Sequence, residues 1–227
     1  MPRTGEDDWF GNVMCGVRRK GGQGVRKGMR RATIEAMSEI GSESGTQRFE
    51  AEQWVAYPVE LVFAFFANPA NLPHLMPRKF ETQIEDARIE PPPPRPVAAD
   101  ESRRYKSVAA GVGSEMLISF YPIPWVPRRV SWLARITEFE WNSHFCDAQV
   151  SGPFTAFNHR HGIRAEFRDG REGTLVSDAV EYALPYGLLG RVAGAMVRRQ
   201  LASSFDFRQK RLPEILAVTE RQAGRRE

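Results

Sequence analysis

His159 and His161 stand two residues apart, so on a β-strand both imidazoles project from the same face. Asp147 lies in a short β-like run upstream, Phe145–Val150, which reads as the neighbouring strand. Two imidazoles and a carboxylate suit zinc or iron. A His-x-His pair alone is a weak pattern, however. A polar patch on a cavity wall or on the solvent face of a sheet accounts for it equally, so neither a metal nor a cofactor is expected. The same side chains suit proton transfer, because imidazole titrates near neutral pH. Asp147, Asp178 and Tyr182 could orient such a base or polarise a carbonyl. His159, His161, Asp147 and Asp178 are therefore the weak catalytic candidates, with binding expected ahead of catalysis. No Ser-His-Asp order, phosphate loop or dinucleotide fingerprint is visible.

Phe145, Asp147 and Gln149 share one strand face, as do Asp178, Val180 and Tyr182. Such faces mix aromatic with acidic groups, which an apolar pocket with polar anchors needs. An ordinary half-exposed sheet shows the same mixture. With Phe157, His159 and His161 these residues (Val180 excepted) make the expected ligand-binding set. Trp125, in the rigid Tyr121–Trp125 segment with its two prolines, is added as a lip at the cavity mouth.

The elements that must position these side chains follow from periodicity. Phe49–Val55 reads as a first strand. Pro58 opens a helix over Val59–Ala67, with Leu61, Val62, Phe65 and Phe66 at helical spacing. Asn68-Pro69 stops it, and Ala70–Leu75 forms a second short helix. Phe80–Ile89 alternates as a strand. Pro91–Pro94 and Pro96 begin an exposed loop over 90–113. Five further strands are expected at Ser114–Tyr121, Arg129–Glu140, Phe145–Val150, Phe154–Phe167 and Thr174–Leu184. Asp169-Gly170 marks a tight hairpin between the last two.

A long helix should run from Leu188 to about Leu216, with Val197, Leu201, Phe205, Arg208, Leu212 and Leu216 on one stripe. Pro213 should kink or end it. Arg198, Arg199, Arg208, Lys210 and Arg211 read as a solvated basic face that complements the helix dipole. The predicted fold is α+β: a curved, seven-stranded antiparallel sheet wrapped around the C-terminal helix, with two short helices after strand 1. A sheet of this kind often encloses a ligand cavity.

The chain has 227 residues, 32 Lys/Arg, 28 Asp/Glu and a net charge of +4. Residues 49–218 hold twenty basic and twenty acidic residues, so the excess sits in the two ends. No basic face for nucleic acid is expected on the folded part, and no nucleic-acid partner. Residues 1–47 read as a disordered basic tail, 48–218 as the domain and 219–227 as a second disordered tail. Met1, Met14, Met29 and Met37 all fall in the first segment, so a native start at Met29 or Met37 is an alternative reading. With only Cys15 and Cys146, no apolar run long enough to span a bilayer and no visible secretory signal, a cytoplasmic setting is expected. The basic tail allows transient contact with an anionic membrane, or docking of a partner. Oligomeric state is open.

Several motifs carry a resemblance. They are Gln53-Trp54-Val55-x-x-Pro58-x-x-x-Val62-Phe63-x-Phe65-Phe66-x-Asn68-Pro69-x-Asn71-Leu72, Ile136-Thr137-Glu138 and the run Phe145 to Phe154. His159-Arg160-His161, Asp178-x-Val180-Glu181-Tyr182-x-Leu184-Pro185-x-Gly187 and Phe205-x-Phe207-Arg208 complete the series. In this order they resemble the SRPBCC (START/Bet v 1-like, polyketide cyclase/dehydrase-like) superfamily, in its bacterial branch, over about residues 49–217. The resemblance implies a helix-grip fold that holds a hydrophobic small molecule such as a lipid, sterol or polyketide. Some relatives are cyclases or dehydratases, so that activity is the alternative to plain binding.

Overall fold

The computed structural model describes residues 46–96, 105, 107–122, 127–185 and 187–223. Seven strands are present: β1 (Thr46–Val55), β2 (Gln83–Arg88), β3 (Glu115–Phe120), β4 (Val130–Glu140), β5 (His144–Ser151), β6 (Ala156–Arg168) and β7 (Arg171–Ala183). They form one sheet in the order β1-β7-β6-β5-β4-β3-β2. From β2 to β7 each strand pairs antiparallel with the next, so this stretch is a meander. β1 and β2 are consecutive in sequence but occupy opposite edges of the sheet. The chain between them must cross a sheet face, and helices α1 (Val59–Phe66) and α2 (Leu72–Leu75) lie in that crossing. The predicted fold class and strand count hold.

α1 is apolar around most of its circumference, and Leu61, Val62, Phe63, Ala64 and Phe65 are all buried. Asn68 ends this segment: its side chain accepts a hydrogen bond from the Ala70 amide at 3.1 Å, and Asn71 Nδ2 donates to the Phe65 carbonyl at 2.8 Å. β2 begins later than the alternation suggested. Arg78–Phe80 is a 3₁₀ turn that Glu81 leaves with φ of 43°, and it drives Phe80 into the core. At the β6–β7 hairpin, Asp169 and Gly170 have φ of 51° and 73°, and Arg168 pairs with Arg171 across the turn. Two successive positive φ values match the twist of the flanking strands, which is why Asp-Gly is a hairpin signal.

The C-terminal helix α3 spans Gly187–Ala223 and carries Pro213 in its interior. It neither ends nor breaks at the proline, and it continues through residues expected to be a tail. Pro213 removes the amide that would bond the carbonyl of Gln209. That carbonyl instead accepts from Gln53 Nε2 on β1, at 2.7 Å. The loss is thereby made good by the sheet. Phe205, Leu212 and Leu216 on the predicted stripe are buried.

The proline run is largely exposed, as its composition suggested: Pro91, Pro93, Pro94 and Pro96 are open to solvent, and Pro92 and Arg95 are half-buried. Trp141 Nε1 donates to the Pro93 carbonyl at 2.8 Å, and Arg95 lies over the Trp141 ring and pairs with Glu60 at 2.5 Å. At its far end Ala109 and Ala110 are buried, with the Ala110 amide bonded to the Ala67 carbonyl at 3.0 Å. The far end of the loop, at Ala109 and Ala110, is thus part of the core. The basic segment up to residue 45 and the Trp125 lip lie outside the described residues. Among the described residues, no helix is long and apolar enough to cross a membrane.

Candidate functional site

Strand register places the candidate residues. Asp147 on β5 stands opposite His159 on β6, and Phe145 stands opposite His161. His161 in turn stands opposite Asp178 on β7, and His159 opposite Val180. Two adjacent rows thus present two carboxylates and two imidazoles on one face. The ring centroids of His159 and His161 are 3.7 Å apart, and Phe145 stacks on His161 at 4.3 Å and 22°.

Each imidazole is held between the two carboxylates. His159 Nε2 is 2.9 Å from Asp178 Oδ1, and its Nδ1 is 3.8 Å from Asp147 Oδ2. His161 Nε2 is 3.1 Å from Asp147 Oδ2, and its Nδ1 is 3.0 Å from Asp178 Oδ1. This last contact is close enough for an ion pair but off the line of a hydrogen bond, so the Nδ1 atom is buried without an aligned partner.

Asp178 is held from the other side by Arg208 of α3. Arg208 Nη1 donates to Oδ1 at 3.0 Å, and Nη2 donates to Oδ2. The guanidinium sits over the rings of Phe205 at 4.4 Å and Phe66 at 5.5 Å. Sequence reasoning missed this pairing, because Arg208 read as one of a solvated basic cluster. The signal was its place on the apolar stripe between Phe205 and Leu212.

Electrostatics divide the site. Burial alone would raise the Asp178 carboxyl, but the Arg208 guanidinium and the two imidazoles beside it outweigh burial and hold it well below the usual carboxylate range. Burial also works against charge on both imidazoles. At His159 burial prevails, reinforced by His161, and the pKa falls below its ordinary value. At His161 the two carboxylates overcome burial and raise it. Beside the site, burial and Glu138 push the Cys146 thiol up to about 12, so it stays protonated.

The cluster borders a cavity of about 250 Å³. Phe65, Phe66, Leu72 and Leu75 of the short helices form one wall. Met116, Ile118, Trp132, Ala134 and Ile136 form the floor on β3 and β4, and Leu201 and Phe205 of α3 form another side. Phe145, Asp147, Phe157, His159 and His161 line it, as does Arg208. Asp178 is not on the wall; its side chain is fully buried behind the histidines. Gln149 is elsewhere: its amide clasps the β5–β6 turn, donating to the Phe154 carbonyl at 2.8 Å and accepting from the Phe154 amide at 3.3 Å. Tyr182 is completely buried in a cluster with Phe157, Val180 and Phe205, with its hydroxyl donating to Gln47 Oε1 on the neighbouring β1 at 3.1 Å.

The three groups Asp147, His159 and His161 bring one potential ligand atom each within 4.8 Å of one another. The arrangement can accept and donate protons, or hold a cation, at the edge of an otherwise apolar space.

No family model and no curated protein matches the chain. Solved structures do. A Thalictrum flavum norcoclaurine synthase point mutant in complex with a transition state analogue matches with a TM-score of 0.50 at 12% identity, over 77% of this chain and 96% of that one. TTHA0849 from Thermus thermophilus matches with a TM-score of 0.49 at 16% identity, over 76% and 98% of the two chains. Ara h 8.0201 matches with a TM-score of 0.45 at 14% identity, over 73% and 97%. At 12% identity the synthase match bears on fold alone. It agrees with the helix-grip arrangement of a sheet around a C-terminal helix.

Proposed function

We propose that the chain binds a compact apolar small molecule, of lipid, sterol or polyketide-like type, between the sheet and α3. The observation that carries this reading is the cavity itself. Its walls are aliphatic and aromatic on three sides, and its ionisable groups gather on one. A ligand with an apolar body and one oxygen-bearing end fits that division: burial supplies affinity and the polar end supplies orientation. The volume of about 250 Å³ lies just under the ~300 Å³ lower end of ordinary ligand pockets, which favours a single ring system or short chain over a two-chain lipid. The ordered motifs and the helix-grip fold together support a place in the SRPBCC superfamily.

The test is native mass spectrometry of the purified chain, followed by displacement of an apolar fluorescent probe. A persistent adduct of small-lipid mass that the probe competes away supports the reading. A chain that carries no adduct and leaves the probe unbound overturns it. A second reading, cyclase- or dehydratase-like turnover of a polyketide-like substrate, is favoured by the position of Asp147, His159 and His161 on the cavity wall. It requires that His159→Ala or Asp147→Asn abolish turnover while binding persists, and unchanged turnover in both rejects it.

A further inference from the structure

Each imidazole of the cluster offers one nitrogen to Asp178 and the other to Asp147. A carboxylate only accepts hydrogen bonds, so a neutral histidine that serves Asp178 with its N–H must turn a lone pair toward Asp147. In the structure His161 Nε2 is hydrogen-bonded to Asp147 Oδ2 at 3.1 Å, so a proton is shared there. Once that proton leaves, three electron-rich atoms face one another: His159 Nδ1, His161 Nε2 and Asp147 Oδ2. Without a cation between them this arrangement is repulsive. We propose that Asp147, His159 and His161 form a binding site for a divalent transition-metal ion, zinc in the first instance, at the polar edge of the cavity.

The geometry fits such an ion. Ligands at about 2.0–2.1 Å from a tetrahedral zinc lie about 3.4 Å from one another. Asp147 Oδ2 is 3.1 Å from His161 Nε2 and 3.8 Å from His159 Nδ1, values that straddle this spacing. Metal-bound histidines characteristically give their second ring nitrogen to a carboxylate, which fixes tautomer and orientation. Here a single buried carboxylate, Asp178, faces both second nitrogens, and Arg208 fixes Asp178 in turn. The buried Nδ1 of His161 that lacks an aligned partner becomes a donor to Asp178 after a small ring rotation. Three protein ligands leave a fourth position for water or for an oxygen of a bound molecule, the pattern of an open rather than a closed site.

The charges also fit. Asp147, Asp178 and Arg208 together carry one net negative charge, which either a single proton or a metal ion can offset. The site is thus a competition between a proton and a metal, and metal binding should expel the proton. This departs from the sequence expectation of no metal, because the spacing of His159 and His161 does not reveal that Asp178 stands behind both.

The proposal stands apart from the apolar ligand, since the metal can be titrated with no ligand present. The full-length chain, treated with chelator and exchanged into metal-free buffer, is titrated with Co²⁺ by visible absorbance and with Zn²⁺ by calorimetry. One Co²⁺ per chain with the intense ligand-field bands of low coordination, displaced by Zn²⁺, is the expected result. Asp147→Asn and His161→Gln should each weaken binding at least tenfold, with folding checked by circular dichroism. His144→Ala, at a separate histidine beside Glu138 and Glu140, should leave binding unchanged. If His161→Gln does not fold, Asp147→Asn decides. A folded wild-type chain with neither absorbance bands nor heat at millimolar metal overturns the proposal. So does binding that survives Asp147→Asn but is lost with His144→Ala or on removal of the segment containing Cys15. Neither outcome touches the apolar-pocket reading.

Discussion

Arg208 reaches from α3 to Asp178 on β7 with both terminal guanidinium nitrogens, and so joins the helix to the sheet beneath the cavity wall. Removing one partner of a buried pair leaves the other charge uncompensated, at about 3–5 kcal/mol. Arg208→Leu should therefore cost several kcal/mol in urea denaturation. The paired replacement Arg208→Leu with Asp178→Asn should cost clearly less than the sum of the two single changes. Additive costs would show that the pair is not coupled.

The same pair sets an acid limit. The Asp178 carboxyl is held below its ordinary value, while in the unfolded chain it titrates near about 3.9. Its contribution is fully present above the unfolded value and is lost as pH falls through the folded one. His159 has a lowered pKa, so it removes stability in a higher window, as pH falls below about 6.5, and His161 with its raised pKa offsets part of that loss. Denaturation curves should show wild-type stability falling more steeply below about pH 4 than that of Asp178→Asn. Parallel curves would contradict the assignment.

The continuity of α3 through Pro213 depends on Gln53, whose side chain donates to the Gln209 carbonyl at 2.7 Å. Gln53→Ala should cost about 1–2 kcal/mol, because it strands a partly buried carbonyl. Pro213→Ala restores the helical donor, so the Gln53→Ala penalty should shrink in that background. A thermal-melt double-mutant cycle with no coupling would place the compensation elsewhere.

Sequence patterns revealed most of the architecture because its elements are local. Period-two runs, the Asp169-Gly170 turn and the Phe205–Leu216 stripe each fit within a dozen or so residues. What escaped depends on distant partners. Gln53 and Gln209 are 156 residues apart in sequence, so nothing near Pro213 announces a repaired helix. Arg208 lies among exposed cations of the same type, and only its stripe position marks it as buried. His159, His161 and Asp147 were legible as a shared face, since alternation carries through β5 and β6 there. Gln149 keeps the face of Asp147, but its amide is taken up by the Phe154 backbone across the β5–β6 turn, a partner that alternation does not announce. Tyr182 does alternate inward, but Gln47 and Phe154 cover it, and alternation cannot show what overlies a residue.

The cavity reading makes a demand on Ala134. This residue is buried on β4 and faces the open space. In a filled core, added methylenes force neighbours off their rotamers at about 1–3 kcal/mol. Ala134→Leu instead projects its extra carbons into volume that no side chain occupies. Its melting temperature should stay close to wild type, while binding of an apolar probe should fall at least tenfold. The substitution leaves Asp147, His159 and His161 in place, so Co²⁺ binding should persist. A large loss of stability with probe binding intact would mean that Ala134 packs against solid core and that the ligand space lies elsewhere.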